Sequence, residues 1–360
     1  MKRILFIATH RPNRAPNQRF RFEQYLDFLN ANGYQCEISY FIDAQDDKIL
    51  YAPGNYFKKG KILLKAIQKR LADLKRANEF DIIFIVREAM LTGSIYFEKA
   101  FKKSSAKLIF DFDDSIWLEN ISENNKLLSW LKRPAKTSDI IQLSHLIFAG
   151  NQYLADYASN YNDQVVIIPT TIDTDSYQAP PRSRNEKLII GWSGSTTTIQ
   201  HFKYAIPFLT ILKQKFGDAF LIKVIGDENY VNNELGIKGI KWEPHTEVAE
   251  LSSFDIGIMP LPDDEWSKGK CGLKGLQYMA LGIPTIMSPV GVNASIIQDG
   301  VNGYLASDPS EWVNKISMLM GDHALRTRIG AAARNTVIEK YSIHSQKNRY
   351  LQYFNQLTNQ

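Results

Sequence analysis

Asp255-Ile256-Gly257-Ile258-Met259-Pro260 is followed, after a loop, by Leu273-Lys274-Gly275-Leu276-Gln277-Tyr278-Met279-Ala280-Leu281-Gly282-Ile283-Pro284-Thr285-Ile286-Met287-Ser288. The first run is apolar without alternation, as a strand buried on both faces must be. The second begins as a helix over Leu273–Leu281, which Gly282 ends as a C-terminal glycine does. Pro284 then opens another apolar strand, Pro284–Ser288. Strand, helix and strand in this order make one unit of a parallel sheet with its crossover.

The same alternation runs outward in both directions. Upstream in the same half stand Leu188–Trp192, a helix near Ile199–Lys215, and Leu221–Ile225. The first half offers strands at Arg3–Ala8, Gln35–Phe41, Ile82–Val86, Leu108–Phe112, Leu146–Ala149 and Val165–Pro169, with helical patterns at Phe20–Asn30 and Gly60–Ala77. Between the halves, residues 176–187 are polar and carry two prolines, as a linker does. The expected fold is therefore α/β: two doubly wound, Rossmann-like domains, residues 1–175 and 176–341, facing a central cleft. A last helix, residues 342–360, stays open between the two, with packing back on the first the reading kept. Ligands of such sheets bind outside the carboxyl ends of the strands.

Composition sets outer bounds. At 360 residues, two domains are expected from ~100–200 residues each. With 44% hydrophobic residues the chain can fill sizeable cores, which excludes disorder as its main state. No apolar run approaches the ~20 residues of a membrane span, and Ile4–Ala8 is too short for a signal-peptide core. Cys36 and Cys271, the only cysteines, exclude a disulfide framework and point to a reducing, cytoplasmic setting. A net charge of +5 is mild and gives no ground for a nucleic-acid partner. No Gly-x-Gly-x-x-Gly follows the first strand, which counts against a dinucleotide dehydrogenase, and no Walker A motif, Ser-His-Asp set or metal-ligand spacing occurs.

Two loops carry chemistry in the second half. Gly269-Lys270-Cys271-Gly272 leads into the helix at Leu273, and Lys274 follows. Amides at a helix N-terminus with two lysines beside them suit a diphosphate, the plain alternative being a helix with two solvated lysines. Gly191-Trp192-Ser193-Gly194-Ser195-Thr196-Thr197-Thr198 is a strand running into a small-residue turn, where Gly194, Ser195 and Thr196 can cradle a phosphate.

Together with neighbouring segments, the 269–284 block resembles the nucleotide-sugar segment of the retaining GT-B glycosyltransferases of family 4 (glycosyl transferases group 1). Tyr278-Met279-Ala280-Leu281-Gly282-Ile283-Pro284 matches the tail of that family's Glu-x7-Glu motif, with Gly269 and Gln277 in place of its glutamates. Pro260-Leu261-Pro262-Asp263, Trp266, Gly269-Lys270-Cys271 and Gln277-Tyr278-Met279-Ala280 resemble a subgroup of it. Asp299-Gly300-Val301-Asn302-Gly303 and Ile168-Pro169-Thr170-Thr171-Ile172-Asp173 resemble flanking family segments. The resemblance implies transfer of a sugar from a nucleotide-diphosphate sugar to an acceptor hydroxyl, with retention and without cofactor or metal. It implies a ribose contact for Gln277 and diphosphate contacts for Lys270, Cys271, Gly272, Leu273 and Lys274. It places the backbone near Trp242–Pro244 beside the base.

The first half supplies acceptor-side candidates. Asp111-Phe112-Asp113-Asp114 closes a strand; such carboxylates need cations, hydrogen bonds or substrate hydroxyls to relieve repulsion. A metal site and a helix N-cap at Asp114 are the alternatives, and the resembled subgroup assigns Asp113 and Asp114 to sugar or acceptor contacts. Arg87-Glu88 ends the preceding strand. The loop His10–Arg21 holds four arginines, of which Arg19 and Arg21 are expected to meet a phosphate or an acidic acceptor. From Lys58 to Arg76, eight basic residues face a single acid, Asp73, on an amphipathic helix, which suits an anionic membrane surface. The expected partners are thus a nucleotide sugar, a saccharide or lipid-linked saccharide acceptor, and the inner face of the cell membrane. The product would be a cell-surface polysaccharide or glycolipid. A nucleotide-sugar epimerase on the same fold, and a non-catalytic nucleotide- or glycan-binding protein, are the rival readings.

Overall fold

The computed structural model describes residues 1–52, 54–118, 133, 135–180, 187–195 and 198–359. The chain divides into two compact units, Met1–Thr170 with Gln346–Gln360, and Thr171–Ser345. The second unit thus begins at Thr171, ahead of the 176 expected from composition.

In the first unit the strands are β1 Lys2–Ile7, β2 Tyr34–Ser39, β3 Ile82–Val86, β4 Lys107–Phe112, β5 Leu146–Ala149 and β6 Val165–Ile167. They pair in parallel in the order β2-β1-β3-β4-β5-β6. β3 and β5 are buried along their whole length, which is why they read as unbroken apolar runs. Phe6 stacks on Phe22 at 4.6 Å, and Phe84 meets Phe148 at 5.7 Å and Phe354 at 6.0 Å. Phe354 lies on the last helix, Ile343–Thr358, whose Tyr350, Phe354 and Leu357 are buried. Residues from Gln346 onward belong to the first unit.

In the second unit the strands are β7 Leu188–Ser193, β8 Phe220–Ile225, β9 Val231–Asn232, β10 Ile237–Lys238, β11 Ile256–Met259, β12 Thr285–Met287 and β13 Tyr304–Leu305. The order of the main sheet is β13-β12-β11-β7-β8, all parallel, and β9 and β10 form a small antiparallel pair. The two-residue strands β9, β10 and β13 are too short to show a pattern in sequence. Helices Ile206–Phe216 and Pro309–Gly321 share a core in which Phe208 stacks on Trp312 at 4.6 Å.

Three helices differ from expectation. Phe20–Asn30 holds one turn at Glu23–Tyr25 and the helix Leu26–Ala31, and a separate short helix, Pro16–Arg19, precedes it. Arg21 and Phe22 are adjacent yet both buried, and Phe22 leaves helical backbone geometry (φ −136°) to allow it. Ile199–Lys215 is split into a 3-10 segment, Ile199–Tyr204, and the helix Ile206–Phe216. Pro207 sits in the first turn of the latter, where its missing N–H costs nothing.

The third is the basic helix, observed as Tyr56–Lys75. Its inward stripe is Lys59, Ile62, Ala66, Arg70 and Asp73, all buried. Arg70 has no exposed side-chain surface and spends its donors inside. It gives hydrogen bonds to the carbonyls of Ala8, Ser39 and Ala89 and to Asp73, and so ties the helix to the carboxyl ends of β1, β2 and β3. Two of the eight basic residues of the expected amphipathic helix, Lys59 and Arg70, are thus inside, while the apolar Phe57, Leu64 and Leu71 are exposed.

Candidate functional site

Each main sheet has one point where neighbouring strands send their connections to opposite sides. In the second unit it lies between β7 and β11, because β7 continues to β8 and β11 to β12. Ligands of open parallel sheets bind outside the strand ends at such a point. The loops there are 194–198, after β7, and 260–272, after β11.

The structure packs the end of β7 against the helix that follows the β11 loop. Tyr278, on the helix Leu273–Ala280, accepts a hydrogen bond from the Ser193 amide at 2.7 Å and lies 2.9 Å from the Ser193 hydroxyl. Lys274 Nζ lies 5.4 Å from the centre of the Trp192 ring, and Lys270 Nζ 4.8 Å from that of Trp266. Both ammonium groups thus stand on aromatic faces beside the helix start. Gly272 is the N-cap, in the left-handed region at φ +71°, which a side chain would strain. It has no side chain with which to cap the helix, and first-turn amides have no intrahelical acceptor. Leu273 and Lys274 are half-buried, while Cys271 and Gly272 are buried. Lysines, aromatic faces and helix amides in one place are groups whose chemistry suits a phosphorylated ligand.

The β7 loop is more self-contained than its composition implied. Gly194 donates to the Ile225 carbonyl at 2.9 Å, and the Ser195 amide to the Thr198 hydroxyl at 2.8 Å. Thr196 lies outside the described residues. Gln277 is 5% exposed, and its amide nitrogen donates to Tyr177 at 2.7 Å and to Glu247 at 3.2 Å. Glu247 also accepts from the Tyr177 hydroxyl and the Trp242 indole, each at 2.7 Å. Both amide hydrogens of Gln277 are therefore directed at internal partners, which leaves its carbonyl as the group that can meet a ligand. Sequence reasoning did not find Glu247 or Tyr177, because nothing local marks residues so far apart in the chain as partners.

In the first unit the corresponding point lies between β1 and β3. Arg87, just past β3, has φ +61°, unusual for a residue with a side chain. Its guanidinium meets Asp113 at 2.6 Å and Asp114 at 3.7 Å. Arg87 thus supplies beside these carboxylates the cation that the metal-site alternative required. Asp114 is buried and its carboxylate accepts from the Ser115 amide at 3.1 Å. Glu88 pairs with Lys136 at 2.9 Å and not with its neighbour Arg87.

Arg21 departs from its expected role. It is 1% exposed and pairs with Asp111 at 2.5 Å, also donating to the Ile168 carbonyl. Burial pushes the Asp111 carboxyl up while Arg21 pulls it back. This side chain is an internal strut without surface to offer an acceptor. Arg11 and Arg14 converge on Asp47, at 3.1 and 2.5 Å. Burial alone would raise the Asp47 carboxyl, but the two guanidinium groups hold it below the usual range. Arg19 is half-buried, its guanidinium 4.8 Å from the Phe20 ring centre. Three of the four arginines in this loop are thus engaged by carboxylates, two of them sharing Asp47. His10 lies 3.2 Å from the Tyr51 hydroxyl and 4.0 Å from Asp47, and burial holds its pKa at about 4 despite that carboxylate.

Comparison with known proteins follows the same outline. Residues 187–322 match the family model described as glycosyl transferases group 1. No curated protein matches the chain in sequence. Among solved structures, Anabaena HepE in complex with UDP and glucose aligns at a TM-score of 0.69 and 13% identity, covering 99% of this chain and 100% of that one. Sucrose-phosphate synthase of Thermosynechococcus elongatus aligns at 0.69 and 13%, covering 99% of each. A glycosyltransferase of Rickettsia africae aligns at 0.67 and 14%, covering 99% and 98%. The fold is GT-B: two parallel-sheet α/β domains in one chain.

Proposed function

We propose that the protein is a glycosyltransferase of the group 1 kind, moving a sugar from a nucleotide-diphosphate sugar to an acceptor hydroxyl with retention and without a metal. The observation that carries this reading is the family match over residues 187–322, which spans both loops at the β7–β11 point and the lysine-flanked helix start. HepE is described in complex with UDP-glucose, which favours a UDP-sugar as donor here. In this reading Lys270, Lys274 and the amides around Cys271–Leu273 take the charge that develops on the leaving diphosphate. Gln277 offers its carbonyl to a ribose hydroxyl, held in that orientation by Glu247 and Tyr177. Asp113 and Asp114, with Arg87, meet the sugar or the acceptor. A departing phosphate oxygen can accept the acceptor's proton in place of a protein base, and attack by the acceptor on the leaving group's own face needs no protein nucleophile. The acceptor is a saccharide or lipid-linked saccharide used in cell-surface polysaccharide or glycolipid synthesis, met at the inner face of the cell membrane.

The test is a thermal-shift screen against UDP-, GDP-, ADP- and dTDP-sugars, followed by Lys274→Ala. One nucleotide sugar should raise the melting temperature. Lys274→Ala should weaken its binding by roughly tenfold, the loss of one charge-assisted contact. Stabilisation by none of them would end this reading, and conversion of donor without acceptor would favour the epimerase.

A further inference from the structure

The outward stripe of the helix Tyr56–Lys75 reads Phe57, Lys61, Leu64, Gln68, Leu71 and Lys75, spaced alternately by four and three residues. Every one of these side chains is exposed, Phe57 at 77% and Leu64 at 61%. An apolar side chain and a lysine or glutamine thus alternate along a helix of about 30 Å. Single exposed apolar residues are ordinary on a soluble surface, but here three are aligned on one face of one helix and adjoin an apolar groove.

The ridge continues sideways. Between this helix and the helix Tyr96–Lys102 runs a groove of about 450 Å³, lined by Leu63, Ile67, Leu71, Met90, Tyr96 and Phe97. Tyr96 is exposed at its rim. Charge completes the picture. The two helices hold only two acids, Asp73 and Glu98, and both are buried. Asp73 faces Arg70 at 2.9 Å, and Glu98 accepts from the Ala89 amide at 3.0 Å. Lys65 is answered by Asp43 and Asp46. Lys58, Lys61, Lys75 and Lys99 have no acidic partner among the described residues. The outer surface is therefore cationic and apolar at once.

We infer that this ridge and groove form a docking face for an anionic lipid bilayer. Phe57, Leu64 and Leu71 enter the headgroup–acyl boundary, and Lys58, Lys61 and Lys75 engage the lipid phosphates. A bilayer requires no shape complement, only apolar side chains of similar depth set between cations, which is what a straight helix with this spacing provides. The inference rests on the membrane-facing reading proposed above and names the residues that make the contact.

The test is cosedimentation of the full chain with vesicles of equal parts phosphatidylglycerol and phosphatidylcholine, against vesicles of phosphatidylcholine alone. Binding should require the anionic lipid and fall with added salt. Lys58→Gln, Lys61→Gln and Lys75→Gln should each weaken it by about fivefold, the effect of one charge near such a surface. Leu64→Ser with Leu71→Ser should weaken it further while leaving its salt dependence unchanged. These side chains are exposed, so each lysine variant should keep the melting temperature of the parent, the Leu64→Ser with Leu71→Ser variant should lower it only slightly through helix propensity, and all should keep the donor-induced shift. Absence of binding to the anionic vesicles, or binding unaltered in the variants, overturns the inference, and capture of an acidic protein without vesicle binding assigns the face to that protein instead. Because the donor-induced shift is read in the same samples, loss of vesicle binding alone leaves the glycosyltransferase reading standing. Absence of that shift in the parent sinks the latter.

Discussion

Several charged side chains here do the opposite of what their type predicts. Arg21 in a four-arginine loop looks like a ligand-binding group, yet it is sealed against Asp111. Removing one member of such a pair leaves the other charged and buried, which costs ~3–5 kcal/mol, whereas replacing both by apolar residues costs much less. Arg21→Leu should therefore lower the unfolding free energy in urea by about that amount, and adding Asp111→Leu should restore most of it. His10 gives a pH dependence with a definite sign. Its folded pKa of about 4 lies below the ordinary 6.5, because burial disfavours the imidazolium. Above pH 6.5 neither state binds the proton. As pH falls below 6.5 the unfolded chain takes it up and the folded one does not, so stability is lost down to pH 4. Between pH 7 and 5 that amounts to about 2 kcal/mol. Urea titrations of the parent and of His10→Asn at both pH values should show the variant losing less, by roughly that amount. His145, also held at about 4, is present in both proteins and cancels.

At the scale of elements, strands were legible and helix faces were not. β3 and β5 coincide with the apolar runs that predict them, because a strand covered on both faces needs only local apolar content. The helix Tyr56–Lys75 lies within a few residues of the expected Gly60–Ala77, but the sequence does not name its inward face. Its leucines recur at helical spacing, yet the inward stripe is fixed by Arg70 reaching carbonyls at Ala8, Ser39 and Ala89, partners that no local pattern names. The candidate site divides the same way. The lysine-flanked helix start was visible as contiguous sequence, while the Tyr177–Glu247–Gln277 set depends on residues brought from three separate segments. Two glycines test how far helix packing decides. Gly60 lies in the exposed helix with no atom within 4 Å of an added Cβ. Gly60→Ala should therefore stabilise by ~0.5–1 kcal/mol through helix propensity and a less free unfolded chain. Gly330, in the helix His323–Thr336, packs so closely that a Cβ would overlap the backbone carbonyl of Gly282. Gly330→Ala has the same intrinsic gain, but the backbone must move, so a net loss of ~1–3 kcal/mol is expected. Thermal melts of the two variants should shift in opposite directions.

At the scale of the whole molecule, the chain passes from the first unit to the second and then returns. The final helix starts at Ile343 in the second unit, and its later turns complete the core of the first. Tyr350 stacks on Tyr25 at 4.4 Å, Phe354 lies between Tyr34 and Phe84, and Lys2 holds Thr358 and Asn359. The aromatic core of the first unit is thus closed by residues more than 200 positions away from its other members. A loss there should be felt by the first unit and not by the loops that hold the proposed donor, all of which belong to Thr171–Ser345. Phe354 is fully buried, and truncating such a ring costs ~3–5 kcal/mol. Phe354→Ala should therefore raise amide exchange across β1, β3 and β5 while leaving exchange in β7, β11 and the helix Leu273–Ala280 at parent rates. The affinity for nucleotide sugar, read by titration below the melting temperature, should stay within about twofold of the parent, since Phe354 and the described residues of the donor loops belong to different units. A uniform rise in exchange across both sheets would mean that the returning helix couples the two units into one cooperative fold.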